Sequence, residues 1–347
     1  MAEILEIMQR DVDHFIRYPI LGGSTGEVCA ASNAVDDLSG SAHPGGSEPP
    51  APAASREPRR RQPQEAPAAG CDSRRRRQPQ EALDSHAELI AEHHLEPSIE
   101  GNAVNVRVGL CGFTMSMQVY ARYFPVVEVQ STFYEPPQDA TMRKWLANAG
   151  PNLEYTMKVW QLVTHPASSP TYRRMKRKLD EHDQPGFFRD SPGVQEGWRR
   201  SIECAGVLSA TAMLFQCPAS FTPARENIRR MRSFFERIER PKARLLWEPR
   251  GPLWIAERQL SLALCKDLDL VRVVDPFVSP ADQGHSVYWR LHGPGSPRAS
   301  YDQQQLDRLH RMLLDAGSCE TAYVLFNNLP RVDDAKRFAA IFRKTIQ

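Results

Sequence analysis

From residue 105 onward, short runs of apolar residues alternate with longer stretches whose apolar residues recur at helical spacing. The short runs are rich in Val, Ile, Leu and aromatic residues, and several of them alternate apolar and polar positions with a period of two. Both properties are typical of strands that are buried on at least one face. The pattern predicts eight strands, at residues 106–110, 126–130, 153–159, 211–216, 243–248, 270–275, 286–292 and 322–327.

The stretches between these runs predict helices. Strands that alternate with helices indicate parallel pairing through right-handed crossovers, and eight such units in about 240 residues match a (β/α)8 TIM barrel of the α/β class. A doubly wound open sheet is the alternative. The connection after the sixth strand lacks a helical pattern, so the barrel is expected to be irregular around strands 6 and 7. The predicted helices are 116–124, 138–149, 194–206, 223–238, 254–266, 302–316 and 331–344.

The first hundred residues have a different character. Residues 1–30 begin with apolar residues at helical spacing and predict a short amphipathic helix. Residues 31–100 are rich in Ala, Pro, Gly, Ser and Arg, which is typical of a disordered linker, and the octapeptide RRRQPQEA occurs in them twice, at 59–66 and 75–82. The barrel domain is therefore expected at residues 101–347. The apolar positions of the predicted N-terminal helix are Leu5, Met8, Val12, Phe15 and Ile16.

The charges are unevenly divided between these two parts. Residues 1–105 hold 10 Lys and Arg against 17 Asp and Glu, a net charge of −7, whereas residues 106–347 hold 34 against 25, a net charge of +9. A basic barrel domain favours anionic partners, either small molecules or nucleic acid, because the summed charge steers association.

The cysteine spacing and the hydropathy indicate the cellular compartment of the protein. Seven cysteines are scattered along the chain without a CxxC spacing, so neither a disulfide framework nor a structural zinc site is indicated. No run of about 18 apolar residues is present for a membrane span, and the acidic N-terminus does not have the pattern of a signal peptide. We expect a cytoplasmic protein without a membrane partner.

Polar residues gather at the ends of the predicted strands. In VVEVQ (126–130), Glu128 and Gln130 share one face, which is expected to point into the upper barrel. A doubly wound sheet gathers its ligand-binding groups at one switch point, whereas a barrel draws them from many strands onto one mouth. The spread over many strands favours the barrel. The polar strand-end residues are Glu128, Gln130, Lys158, Gln216, Glu248, Asp275, Arg290, His292, Asn327 and Asn328.

At these residues the chain resembles the YecE-like family, also called domain of unknown function 72. The resemblance runs in order over nearly all of residues 105–345; it implies a TIM-barrel fold and leaves the reaction open. Cys111 stands where many members carry Ser, and the segment after the two asparagines lacks the small-residue pattern common in the family. The matching segments are GLCGF (109–113), VEVQSTFYEPP (127–137), KVWQLVTHP (158–166), LFQCPASF (214–221), WEPRGPLW (247–254), VVDPF (273–277), YWRLHGPG (288–295) and FNN (326–328).

Three strand-end residues could hold a divalent metal ion. Glu248, Asp275 and His292 end consecutive predicted strands, and a Glu, Asp and His set at a barrel mouth is suited to a divalent cation. The competing interpretation is a metal-free lattice of ion pairs, because Arg250 and Arg290, together with a lysine at the end of the third strand, could neutralise the carboxylates.

A second hypothesis is acid–base chemistry or the recognition of an anion. Arg250 and Arg290 could hold phosphate or carboxylate groups, while Lys158, His165 or His292 moves protons and Glu248 or Glu128 orients them. Glu248, Asp275 and His292 are thus candidate acid–base groups as well as candidate metal ligands. Glu128, Gln130, Tyr134, Asn327 and Asn328 are further candidates for substrate binding.

A third hypothesis is binding without turnover. The segment TYRRMKRK (171–178) places five cations in the connection after the third strand, on the mouth side of a barrel. Together with aromatic residues near the mouth, these cations could bind nucleic acid or a sugar phosphate. The favoured expectation is an enzyme of hydrolase or nuclease-like type that acts on a phosphate-containing substrate. The alternatives are a non-catalytic nucleic-acid or sugar-phosphate binding protein and a metal-free isomerase or lyase.

Overall fold

A computed structural model describes residues 105–280, 286–316 and 319–345. The amphipathic helix predicted at residues 1–30 and the linker predicted at residues 31–100 lie outside these described residues. Within them, no helix is of a length and hydropathy that could cross a bilayer.

Eight parallel strands close into a barrel in chain order, with β8 pairing to β1. The predicted TIM barrel is therefore confirmed, and the open sheet is excluded because a closed barrel has no edge strand. The strands are β1 (Asn105–Cys111), β2 (Val126–Val129), β3 (Glu154–Lys158), β4 (Ala212–Gln216), β5 (Arg244–Glu248), β6 (Val271–Val274), β7 (Ser286–Leu291) and β8 (Thr321–Phe326).

Helices occupy the connections, except between β6 and β7, where the described residues form only a turn at 276–278. The irregularity predicted there is thus confirmed for the described part. One predicted helix, at 254–266, is wrong in its extent: it is two helices that meet at Glu257. The helices are α1 (Met117–Tyr123), α2 (Ser131–Tyr134), α3 (Asp139–Ala149), α4 (Gln161–Thr164), α5 (Pro192–Leu208), α6 (Arg225–Arg237), α7 (Pro252–Ala256), α8 (Arg258–Asp267), α9 (Gln303–Asp315) and α10 (Arg331–Thr345), with a 3-10 helix at Pro170–Arg174.

The period-two pattern of the strands divides their side chains between two cores. One set points inward and forms a small cluster in the barrel that includes Leu214, Leu246 and Leu325. The other set points outward and packs under the helices, as Val127 and Val129 do. Because the inward set must fill a narrow space, its polar members are removed from bulk water and have to find partners inside the barrel.

Candidate active site at the barrel mouth

The inward face places charged residues of four strands in the upper part of the barrel. Glu128 of β2 and Lys158 of β3 are buried, as are Glu248 of β5 and Arg290 of β7. Gln216 of β4 lies opposite Glu248 in the strand register. The structure thus brings these strand-end residues together, as the alternation in the sequence predicts.

Arg290 is the centre of this cluster. Its Nη2 atom lies 3.0 Å from Oε1 of Glu128, and its Nη1 atom lies 2.5 Å from Oε2 of Glu248. Nη1 also donates to Oε1 of Gln216 at 3.2 Å. The side chain is only 1% exposed, so one buried guanidinium neutralises two buried carboxylates that would otherwise be costly to desolvate.

Glu128 has two further partners. The amide of Gln130 donates to its Oε1 atom, and the hydroxyl of Tyr288 donates to Oε2 at 2.8 Å. The Tyr288 hydroxyl also lies 2.8 Å from Oγ1 of Thr156. Sequence reasoning missed Tyr288 and Thr156. The available signal was the period of two in β7, because Tyr288 and Arg290 are two residues apart and must share the inward face.

Glu248 forms a second ion pair, with an arginine in the loop that follows its own strand. Its Oε1 atom lies 2.8 Å from Nη2 of Arg250. Burial raises the pKa of the Glu248 carboxyl, but the charges of Arg250 and Arg290 outweigh burial and lower the pKa to about 2. Glu248 is therefore an ionised carboxylate at any physiological pH, which makes it a poor proton donor.

His292 lies between Arg250 and Asp275. Its backbone N–H donates to Oδ2 of Asp275 at 2.9 Å, and its Nδ1 atom lies 3.4 Å from the same oxygen. On the other side of the ring, Nε2 lies 2.8 Å from Nη2 of Arg250. Since a guanidinium can only donate, Nε2 must accept, and the proton of the neutral ring is on Nδ1. Burial and the charge of Arg250 lower the pKa of His292.

These contacts do not suit a metal ion held by Glu248, Asp275 and His292. Nη2 of Arg250 is 2.8 Å from both Oε1 of Glu248 and Nε2 of His292, so a cation already stands between those two groups. Asp275 contacts the opposite nitrogen of the imidazole ring. In the part of the chain that the structure describes, no three His, Cys, Asp or Glu side chains are arranged to share a metal ion. The donor set does not fit a metal, and the structure gives no support to that hypothesis.

Lys158 and His165 both contact the ring of Phe133. The Nζ atom of Lys158 is 3.9 Å from the centroid of the Phe133 ring. The imidazole of His165 packs edge to face against the same ring, with centroids 4.8 Å apart, and its Nδ1 atom lies 2.8 Å from Oγ1 of Thr164. His165 is thus a buried residue that packs against an aromatic ring.

Of the remaining predicted site residues, two are partly exposed and one is buried. Tyr134 is partly exposed, and the guanidinium of Arg174 stacks over its ring at 3.4 Å. Asn327 is also partly exposed. Asn328 is fully buried, and its amide nitrogen donates to the Ala299 carbonyl at 2.9 Å and to Asp334 at 2.6 Å. Those two bonds engage Asn328 with the loop after β7 and with α10, away from the cluster around Arg290.

Cys111 lies at the end of β1, opposite Glu128 in the strand register. Burial and the neighbouring Glu128 charge raise the pKa of its thiol to about 12. A thiol with this pKa is almost entirely protonated at neutral pH and is a weak nucleophile. Cys111 therefore serves as packing, as expected for a buried cysteine.

A protein-family model described as "Protein of unknown function DUF72" matches residues 112–347. The chain belongs to this family. Two solved DUF72 structures, from Enterococcus faecalis and Thermotoga maritima, align with TM-scores of 0.53 and 0.52, each at 19% identity. Each alignment covers 69% of this chain, together with 94% of the Enterococcus chain and 99% of the Thermotoga chain. At this identity the two DUF72 structures establish the common fold. A comparison with curated proteins gives no match.

Proposed function

We propose that this DUF72 protein is an enzyme that performs metal-independent acid–base chemistry on an anionic substrate at the mouth of the barrel. One observation carries the proposal: Arg250, a partly exposed cation, donates to Nε2 of His292 while Asp275 contacts Nδ1. A carboxylate that orients an imidazole, with a cation beside the reactive nitrogen, is a typical arrangement for proton transfer next to an anionic group.

Arg250 is better suited than Arg290 to bind the anion. The Arg250 side chain is 21% exposed and pairs with Glu248, whereas Arg290 is 1% exposed between two carboxylates. Substrate binding by Arg290 would require a buried ion pair to break. We therefore assign Arg290 to holding the cluster together and Arg250 to the substrate.

The proton would be transferred at His292. When an anionic group of the substrate attracts Arg250, the guanidinium leaves Nε2, and that nitrogen becomes available as a general base. The proton passes from the substrate, or from a bound water in a hydrolytic version, to Nε2, and the Asp275 carboxylate stabilises the imidazolium that results. The lowered pKa of His292 keeps the ring neutral before the substrate binds, which is the state that a base requires.

In its more specific form, the proposal is that the substrate contains a phosphate group and that the reaction is a hydrolysis. Phosphate is a strong partner for a guanidinium, because its oxygens accept two parallel hydrogen bonds. Next to the mouth, the exposed residues Arg173, Lys176, Arg177 and Lys178 provide additional cations. These cations, with Arg174 stacked on Tyr134, favour the second candidate function, binding of a single-stranded nucleic acid.

Two measurements test the proposal. Thermal-shift screening of sugar phosphates, carboxylic acids and short oligonucleotides is expected to identify an anion that raises the Tm of the wild type but not of Arg250→Gln. Arg229→Gln, which removes an exposed guanidinium paired with Glu226 on α6, is the matched control and should behave as the wild type.

The second measurement detects proton transfer without knowledge of the product. Each anion that binds is incubated with the protein in D2O, and NMR records the exchange of its C–H protons and any hydrolysis. His292→Gln is expected to lower the rate at least about a hundredfold, as is usual for a lost general base, while the ligand-induced rise in Tm persists. Binding without exchange or hydrolysis, or equal rates in wild type and His292→Gln, would contradict the catalytic proposal. A rise in Tm with oligonucleotides alone that is lost on neutralising residues 173–178 would favour the nucleic-acid function.

A further inference from the structure

A groove of about 750 Å³ runs along the outside of the barrel and shares no lining residue with the mouth cluster. Val274 of β6 and Val287 and Trp289 of β7 line it, and all three belong to the outward-facing apolar core. Leu262 and Cys265 of α8 form part of one wall. The groove therefore has an apolar floor on the side of the sheet that helices normally cover.

The short connection between β6 and β7 explains why a groove exists here. The connection spans residues 275–285, and its described part, 275–280, forms a turn without a helix. The five residues that follow are fewer than two helical turns. In a TIM barrel the crossover between two neighbouring strands supplies a helix that packs on the outer face of both. The described residues of the connection supply no such helix.

The rim of the groove is basic, and its floor contains a hydrogen-bond donor that has no acceptor among the described residues. Five cationic side chains line the groove against a single carboxylate, that of Asp269. The Nε1–H of Trp289 is buried and has no acceptor among the described residues. An occupant with an apolar stripe, acidic flanks and a hydrogen-bond acceptor would match these features. The cations are Arg240, Lys242, Arg244, Lys266 and Arg272.

We propose that residues 4–17 of this same chain form an amphipathic helix that docks in the groove and takes the place that a crossover helix occupies at the other connections of the barrel. A helix of this length is about 21 Å long at 1.5 Å per residue, close to the 13-residue helices α6 and α9 of the barrel. Its apolar stripe is Leu5, Met8, Val12, Phe15 and Ile16.

Charge and tether length support this occupant. The segment and the residue before it carry four acidic side chains against two arginines, so the helix is acidic where the groove is basic. Residues 18–104 connect the segment to β1, and a chain of that length spans about 50 Å even as a random coil, enough to reach any face of the barrel. Intramolecular docking also benefits from an effective concentration in the range of about a millimolar. The charged residues are Glu3, Glu6, Asp11 and Asp13, and Arg10 and Arg17.

Cys265 gives a native reporter for the docked helix, because it lines the groove and its side chain is buried. The full-length protein is treated with a thiol reagent, and labelling of each cysteine is followed by peptide mass spectrometry. The double variant Met8→Gln, Val12→Gln is expected to raise the labelling rate of Cys265 about tenfold or more, because the groove opens more often. Cys204, buried in α5 away from the groove, should keep its rate, which shows that the barrel is still folded.

Two matched variants control for non-specific effects. His14→Gln, Arg17→Gln changes the opposite face of the predicted helix and removes a positive charge, so it should leave Cys265 protected. Lys266→Glu reverses a charge on the rim and should expose Cys265, whereas Lys144→Glu on the exposed face of α3 should not. Equal labelling of Cys265 in wild type and Met8→Gln, Val12→Gln would overturn the proposal. Protection that grows with protein concentration would also overturn it, because the occupant would then be a second copy of the chain.

Discussion

Arg290 and Glu128 meet across the interior of the barrel, 3.0 Å apart, although their strands β7 and β2 are not neighbours in the sheet. The same guanidinium holds Glu248 on its other side. One side chain thus links three strands around the barrel axis. The arrangement satisfies two buried carboxylates, and it fixes Glu248 in the position from which it contacts Arg250.

Replacement of Arg290 should therefore destabilise the fold strongly. Arg290→Met leaves Glu128 and Glu248 as buried carboxylates without their shared cation, and we expect a loss of about 3–5 kcal/mol in the free energy of unfolding, measured by urea denaturation. Arg199→Met, which breaks exposed pairs with Glu196 and Glu203 on α5, should change the free energy of unfolding far less, because water screens exposed ion pairs. Losses of similar size in both variants would contradict the role assigned to Arg290.

Stability should fall in two steps as the pH is lowered. The folded-state pKa of His292 is below its ordinary value of 6.5, so the unfolded chain binds the proton first. The stabilising contribution of neutral His292 is complete above pH 6.5 and is lost as the pH falls below that value. Glu248, with its pKa lowered from 4.5 to about 2, adds a second loss below pH 4.5. Urea midpoints measured from pH 8 to pH 3 should show both steps.

The variant His292→Asn separates the two effects. An asparagine does not titrate, so the loss that begins below pH 6.5 should diminish in this variant while the loss below pH 4.5 is retained. An unchanged profile across the upper range would mean that His292 does not contribute to the pH dependence of stability.

Divalent metal ions should not stabilise the protein. Because Arg250 stands between Glu248 and His292, a metal would have to displace a guanidinium from an ionised carboxylate. We expect the Tm of protein treated with EDTA to stay constant on addition of Mn²⁺, Co²⁺ or Zn²⁺. A saturable rise in Tm that is absent in Glu248→Gln would restore the metal hypothesis.

Two glycines should respond in opposite ways to alanine. At Gly109 in β1, a Cβ atom would lie 2.2 Å from the carbonyl oxygen of Val126, a contact with backbone that cannot relax easily. At Gly206 in α5, a Cβ atom would meet nothing within 4 Å. Thermal unfolding should show a large loss for Gly109→Ala and a gain of up to about 1 kcal/mol for Gly206→Ala, because alanine favours the helix. A stable Gly109→Ala protein would contradict the tight approach of β1 and β2.

The local sequence pattern was sufficient for the architecture. For example, the strand predicted at 243–248 is observed at Arg244–Glu248, because a short apolar run can be recognised from neighbouring residues alone. The pattern also placed Glu128, Glu248 and Arg290 at one mouth, since all strands of a parallel barrel end on the same side. It failed at Glu257, where the backbone departs from helical geometry within an otherwise continuous helical pattern.

The sequence by itself determined the barrel, its irregular connection and the set of polar residues at its mouth, because periodicity and connection length are local properties. Only the tertiary structure decided which of these residues are partners. It paired Arg290 with Glu128 and Glu248, placed Arg250 against His292, and engaged Asn328 with Asp334. These pairings depend on the diameter of the closed barrel and on the side-chain conformations available inside it, and both are set by all eight strands together.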